Sequence, residues 1–435
     1  MIRIFLLGCF LWTAFTGAYA QTDDQRSKAF AANLNPALLY PSVYPDRIII
    51  NLTDSPESSV AVNWRTDVSQ NSGWVQFGPA TPGTQFLRQL DSVASRVETL
   101  TVSYTNEPEV TANYHSAVMT GLEPGKSYVY RVGNGKYRSE WFQFSVPGGK
   151  KLSFLYFGDA QNDIRNHWSR VLRNAFRIRP DIDFMLHGGD LINRHNHDIE
   201  WGEWFAAGAF IHATIPSAMT PGNHEYGKGP VLSPQWRAQF NLPENGPKGL
   251  GETSFEINYE QLKMVSLDAT MIYDFKETEQ ASVRWLDSVL TANPRKWTVI
   301  LIHFPFYSTK ENRDNPDLRK VFQPVIEKHK VDLVLQGHDH AYGRGVKESD
   351  GHATAYIVSN AGPKMYEIGE NKDWMKKKLA MTQLFQLISI DGDQLEYSAY
   401  KADGTLYDAF HLRKNKDKRN ILEEKIPDTP ESKGH

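Results

Sequence analysis

Val331-Asp332-Leu333-Val334-Leu335-Gln336-Gly337-His338-Asp339-His340 decides how this chain is read. Val331 to Leu335 are apolar except for Asp332 and read as a buried strand, which Gly337 ends. His338 and His340 follow at alternate positions in a loop, and a loop just past a central strand is where open α/β sheets place their ligands. Histidines two apart can direct their rings into one small volume, and neutral imidazole is a common ligand of divalent metals. The competing reading is a surface turn that happens to hold two histidines. What the chain supplies upstream must decide.

Upstream, from Lys151, apolar strands alternate with helical segments, the signature of an α/β layer architecture. Leu152 to Phe157 ends in Gly158-Asp159-Ala160-Gln161. Phe184 to His187 ends in Gly188-Gly189-Asp190. Ser217 to Met219 leads to Gly222-Asn223-His224-Glu225, and Trp297 to Ile302 ends at His303. Helical spacing is read over 165–178, 200–211, 278–290 and 316–330. Each polar strand end alone is weak evidence, because a lone Gly-Asp or a lone histidine is usually a turn or a satisfied core residue. Five in succession are hard to assign to chance. Burying these carboxylates and imidazoles together without a counter-ion costs several kcal/mol per charge, and metal ions remove that cost.

Between about 40 and 148 the pattern is different. Short alternating runs such as Ser59 to Trp64, Trp74 to Phe77 and Tyr128 to Val132 are separated by Gly and Pro, which argues for a β-sandwich. The stretch Leu122-Glu123-Pro124-Gly125-Lys126-Ser127-Tyr128-Val129-Tyr130, with Trp64 upstream, resembles a fibronectin type III-like module, with Tyr128 in the tyrosine-corner place. His115 has no carboxylate or second histidine nearby in sequence and reads as structural. The sandwich is a spacer, a substrate-side wall or a partner-binding module.

The chain has 435 residues, 40% apolar and 23% charged, with a net charge of -3, which fits a globular protein of more than one domain and gives no sign of a nucleic-acid surface. Residues 1–20 read as a secretory signal ending Ala18-Tyr19-Ala20, so a secreted or periplasmic protein is expected, with no transmembrane segment in the mature chain. The single cysteine, Cys9, falls inside that signal, so disulfides, thiolate ligands and a cysteine nucleophile are not expected. Asn51-Leu52-Thr53 is a glycosylation sequon. Residues 21–39 read as a linker, and the charged, Pro-containing 414–435 as a disordered tail.

The ordered set of blocks, ending in Gly337-His338-Asp339-His340-Ala341-Tyr342, resembles the calcineurin-like metallophosphoesterase superfamily, and with the sandwich ahead of it the purple acid phosphatase branch. The resemblance implies an α+β multidomain fold: a fibronectin III-like β-sandwich at 40–148, then a four-layer αββα metallophosphoesterase domain at 151–413. It implies two metal ions (Fe, Zn or Mn), with Asp159 and His340 on the first, Asn223, His303 and His338 on the second, and Asp190 bridging. His224 would face the phosphoryl group as the catalytic residue.

The implied activity is hydrolysis of small phosphate monoesters by a metal-bound hydroxide. A phosphodiesterase or nucleotide hydrolase is the alternative, and a metal-poor binding protein a further one. Three departures stand out. Asn193 stands where this branch has a tyrosine iron ligand, and Gln161 where other branches have a histidine, so the first site is expected to bind loosely unless one of these amides ligates, and the purple colour is expected to be absent because an amide oxygen does not replace a phenolate. The loop after His303 lacks the family's second histidine. His195 and His197 are candidates for that substrate-facing role, with a solvated loop as the competing reading, and Tyr307 is a further candidate.

Overall fold

The five blocks sit at the ends of strands because both faces of each strand are covered. In Trp297–Ile302, residues Trp297, Val299 and Leu301 enter one core while Ile300 and Ile302 enter another. Leu262–Leu267 and Leu333–Gln336 divide in the same way. A strand buried on both sides reads as a continuous apolar run and not as an alternation. The inner core lies between two sheets and contains Phe154, Phe184, Val299, Leu335 and Ile388. The outer core packs helices Lys276–Thr291 and Pro316–Lys328 against the second sheet through Leu286, Leu290, Leu318 and Phe322. On the other side, helices Ile164–Ile178 and Asp198–Gly208 bury Trp168, Val171, Leu172, Trp201 and Trp204. The result is the helix–sheet–sheet–helix layering the resemblance implies.

The computed structural model describes residues 35–105, 107–149, 151–370 and 372–434. The signal segment and all but the end of the linker lie outside the described residues. Among those described, no helix is long and apolar enough to cross a membrane.

The second sheet has seven strands, in the order Phe255–Asn258, Leu262–Leu267, Trp297–Ile302, Leu333–Gln336, His352–Val358, Tyr342–Ser349 and Lys377–Leu379. The first has eleven and crosses the expected domain boundary. Its centre is Lys151–Phe157, Phe184–His187 and Ser217–Met219, all parallel, and it continues into the sandwich because Asp46–Leu52 pairs with Ser217–Met219. The sandwich is formed as expected. Trp64, Phe77, Met119, Tyr130 and Phe144 fill its core, and the Tyr128 hydroxyl accepts from the Glu123 N–H at 2.9 Å in the tyrosine-corner manner.

The sandwich is not a separate body, however. Residues 37–435 form one compact unit. At the seam Arg47 and Arg65 both pair with the buried Asp198, at 2.8 and 3.3 Å. Asn51, in the sequon, is buried there and donates to the Ser217 carbonyl, so in the folded protein it is a seam residue and not a glycan carrier.

The expected disordered tail is corrected. Asn420–Glu424 adds the outermost strand of the large sheet, paired with Leu406–Lys414. Asn420 donates to the buried Asp332 at 2.7 Å, Lys414 pairs with the same carboxylate, and Glu424 pairs with the buried Arg344 at 2.8 Å. The charges that make this segment look solvated have buried partners about eighty residues upstream, and composition alone does not show partners.

Candidate metal centre

The two sheets end on a common edge, where the five loops meet. Asp190 Oδ2 lies 3.2 Å from His303 Nε2, and Asp159 Oδ2 lies 3.5 Å from His340 Nε2. Two triads of potential ligand atoms result, each lying within 4.8 Å of one another: Asp159, Asp190 and His340, and Asp190, His303 and His338. They share Asp190. Asn223 sits between Gly222 and His224, both of which touch Asp190: a Cβ on Gly222 would collide with its carboxylate, and the His224 N–H donates to it at 2.9 Å. Asp159 Oδ2 and Asn223 Oδ1 are buried with no hydrogen-bond partner, and such atoms are costly unless something else binds them; His303 Nε2 has only the Asp190 carboxylate.

The backbone holds this geometry under strain. Asp190, His338 and His340 all lie in the left-handed region, with φ of 50, 72 and 50°. Such conformations cost about 1–3 kcal/mol each and cluster at functional sites. Two carboxylates that lie inside the sequence blocks, but were not singled out in them, hold the loops. Glu225, of Gly222-Asn223-His224-Glu225, accepts from the backbone N–H groups of Asp190, Leu191, Ile192 and Gly222. Asp339, between the two histidines, accepts from Ser308, Thr309 and Arg313 and so fixes the loop after His303. Gly337 is required because a Cβ there would strike the Asp159 carboxylate, which instead accepts the His338 N–H at 2.7 Å.

The electrostatics fit ligation. Burial, with the charges of His303 and Lys364 respectively, holds His338 and His340 well below the ordinary histidine range, so both are neutral. Burial works against the charged Asp190, but His303 and His224 outweigh it and hold the carboxylate well below its usual value. His303 rises to about 9, since its attraction to Asp190 outweighs its own burial. Asp159 has less help: burial pushes it up to about 7 against the pull of His303. His303 Nδ1 donates to the Gly188 carbonyl at 2.8 Å and His340 Nδ1 to that of Lys364 at 3.1 Å, which turns each Nε2 into the centre; without an ion the His303 Nε2 proton is held against Asp190 Oδ2, and a bound ion would displace it.

Two family models match the chain. "Purple acid Phosphatase, N-terminal domain" covers residues 45–146 and "Calcineurin-like phosphoesterase" covers residues 152–342. Residues 45–146 and 152–342 thus carry the two domains of a purple acid phosphatase-like, calcineurin-like phosphoesterase. Purple acid phosphatase 21 of Arabidopsis thaliana is 24% identical over 315 residues, 70% of this chain and 67% of that one. The Fe(3+)-Zn(2+) purple acid phosphatase 12 of the same plant is 22% identical over 335 residues, 73% of this chain and 67% of that one. A purple acid phosphatase from yellow lupin (Lupinus luteus) seeds shares the fold with a TM-score of 0.68 at 19% identity, over 86% of this chain and 75% of that one.

Against this phosphatase frame, the remaining candidates separate. Gln161 does lie in the centre: its Nε2 donates to Asp190 Oδ2 at 2.7 Å, while its Oε1 accepts from the Lys364 ammonium at 3.4 Å. The lysine therefore turns the amide oxygen away from the centre. Asn193 contributes its carbonyl, which accepts from His224 Nδ1 at 2.6 Å and leaves His224 Nε2 facing Asp190 at 3.9 Å. His195 is half-buried and packs over Gly227, beside the loop that carries His224.

His197 and Tyr307 are corrected as substrate residues. His197 is 1% exposed and held between Glu107 of the sandwich, at 2.7 Å, and Glu200, at 3.0 Å. Tyr307 donates to Gln323 at 2.9 Å and packs on Tyr356 and Trp374, on the helix side of the second sheet. Glu200 also accepts the N–H groups of Asn193 and Arg194, so a sandwich residue, Glu107, braces the loop that orients His224. No sequence signal linked Glu107 to His197, ninety residues away.

Proposed function

We propose that this protein is an exported phosphatase that hydrolyses small phosphate monoesters at a two-metal centre. The observation that carries the reading is the pair of ligand triads joined at Asp190. Asp159, His340 and Asp190 would hold the first ion, and Asp190, Asn223, His303 and His338 the second. The buried unpaired oxygens of Asp159 and Asn223 fit that role. The donors are oxygen and imidazole nitrogen with no thiolate, which suits Zn, Mn or Fe. With Asn193 in the tyrosine position, no phenolate colour is expected.

Bound ions would polarise the phosphoryl oxygens and lower the pKa of a water. The protein's own residues do the rest. Asp159 and Asp190 offset the ions' charge so that a phosphate dianion binds without excess. His224, its Nδ1–H fixed on the Asn193 carbonyl, presents Nε2 beside Asp190, where a protonated ring donates to a phosphoryl or leaving oxygen. No serine or cysteine nucleophile is involved. The reading of 1–20 as a signal supports export.

Elemental analysis of the purified protein, beside a screen of mono- and diesters, tests the reading. Two ions per chain with monoester turnover is the expected result. Preferential diester turnover would move the assignment to a phosphodiesterase, and absence of both metal and turnover would overturn it.

A further inference from the structure

Beside His340, on the side of the first ion, three residues gather that the reaction as described does not use. Tyr366 donates its backbone N–H to the His340 carbonyl at 3.1 Å, and its ring stands edge-on to the His340 ring with centroids 4.8 Å apart. The Lys310 ammonium lies 3.8 Å from the centre of the Tyr366 ring, and that of Lys364 lies 5.9 Å from the same centre. Both lysines are half-buried. Neither takes part in an ion pair with a carboxylate among the described residues. The neighbouring Arg313 is different, because it is matched by Asp339 at 2.8 Å. Two backbone contacts hold the group together: the Gly369 N–H donates to the Thr309 carbonyl, and His340 Nδ1 to that of Lys364.

Two half-buried ammonium groups set about one ring, with no ion pair of their own, are unfavourable, because the carboxylate that acts on Lys310, Asp339, is already matched by Arg313. The cost shows on Lys310, whose pKa is lowered by its partial burial, by Arg313 and by Lys364, with Asp339 offsetting only part of this. Tyr366 offsets only part of this through its ring face. The centre does not need the two charges for the scissile group. Two divalent ions against Asp159 and Asp190 leave a surplus of two positive charges, which one phosphoryl dianion neutralises; the attacking hydroxide adds a single negative charge, which two ammonium groups still exceed.

We propose that Lys310 and Lys364, set about Tyr366, form a subsite for a second anionic group of the substrate. The preferred esters of this enzyme then carry a carboxylate or a further phosphate close to the scissile phosphoryl. The inference rests on the phosphatase reading above and narrows its substrate class. Lys310 serves the second anion directly. Lys364 has a further contact, to Gln161, which makes Lys310 the cleaner probe.

The test compares the metal-loaded enzyme on carboxyphenyl phosphate and on its uncharged carbamoyl analogue, in the meta and para isomers. The wild type should favour the carboxylate ester by about tenfold in kcat/KM, mainly through KM, for at least one isomer. Lys310→Gln should remove most of that preference with a much smaller loss on the carbamoyl ester, and Lys310→Arg should retain it. An equal loss on both esters in the variant overturns the proposal, and so do equal kinetics on the two esters in the wild type together with pyrophosphate bound no more tightly than inorganic phosphate.

If no ester is turned over, the phosphatase reading has failed, and the subsite is judged by calorimetry of inorganic pyrophosphate against inorganic phosphate. Tighter pyrophosphate binding that is lost in Lys310→Gln sustains it, and indistinguishable binding overturns it. A preference for pyrophosphate but not for the carboxylate ester assigns the second group as a phosphate, and the reverse assigns a carboxylate.

Discussion

Two groups of buried histidines lie close together in this protein, and only one of them is built for ligation. His187, three residues before Asp190, ends its strand much as His303 ends another. With His212 it sits in a box of aromatic rings: His187 is 5.9 Å from Trp168 and 5.4 Å from Trp204, and His212 is 4.2 Å from Trp204. Burial alone holds His212 down at about 3, and burial with His212 keeps His187 well below its ordinary value. Burial also neutralises His338 and His340. The metal centre adds two carboxylates, left-handed loops that turn the rings inward, and carbonyls that take the Nδ1 protons of His303 and His340. A neutral buried imidazole is common, and what makes it a ligand is the company of Asp159 and Asp190.

That contrast breaks most completely at Asp190. Asp190→Ala removes the one side chain common to both triads and should strip both ions. Turnover should fall well beyond the roughly 10–100-fold that loss of an outer hydrogen-bond partner of a metal ligand costs. Elemental analysis beside kcat checks this, with circular dichroism as the control for folding. Two ions retained in this variant would show that the shared carboxylate is not the organising group.

His224→Ala comes next. It should lower kcat by about 10²–10⁴-fold while the metal content stays at two, because His224 acts on the phosphoryl side. Loss of metal in that variant would instead place His224 among the ligands.

A smaller effect sharpens the comparison within the centre. The second triad gains Asn223, whereas the first gains only Gln161, whose oxygen is held by Lys364. Metal titration of the stripped protein should therefore show a tight site and a weak one. Gln161→His should tighten the weak site by about tenfold, about 1.4 kcal/mol, and bring the two isotherms together. An unchanged weak site would mean that Lys364, and not the missing imidazole, limits it.

Much of this was legible in the sequence, for physical reasons that also explain where it failed. Strands buried on both faces announce themselves as apolar runs, so the ends that carry Asp159, Asp190, Asn223, His303 and the 338/340 pair could be located, and their order was distinctive. The αββα layering followed from the same runs. The seam did not: the pairing of Asp46–Leu52 with Ser217–Met219 is a backbone event, and no side-chain period encodes a partner strand 166 residues on. His197 looked like a substrate residue because loop histidines usually face water, and Glu107 cannot be matched to it without coordinates. The tail misled for the same reason, since charge reads as solvation until Arg344 and Asp332 are seen opposite it. Lys364 and Tyr366 lay beyond the last motif, and no periodicity marks the loop that holds them.

The aromatic box supplies the smallest test, and it must be separated from metal loading. His212 is fully buried and its folded pKa of about 3 lies below the ordinary value of 6.5, so the unfolded chain binds a proton that the folded chain does not. The sign follows: the contribution is fully present above about pH 6.5 and is lost as the pH falls toward 3, by about 2 kcal/mol at pH 5. His187, lowered by the same burial, adds a second loss of the same sign. Because metal ligands also titrate as acid is added, the measurement belongs in the Asp190→Ala background, where no ion is expected. There, thermal midpoints at pH 7 and pH 5 should differ by several degrees, and His212→Phe should narrow the gap by about half. If the gap is unchanged, acid sensitivity resides elsewhere, and the box does not differ from the centre in the way its lack of carboxylates implies.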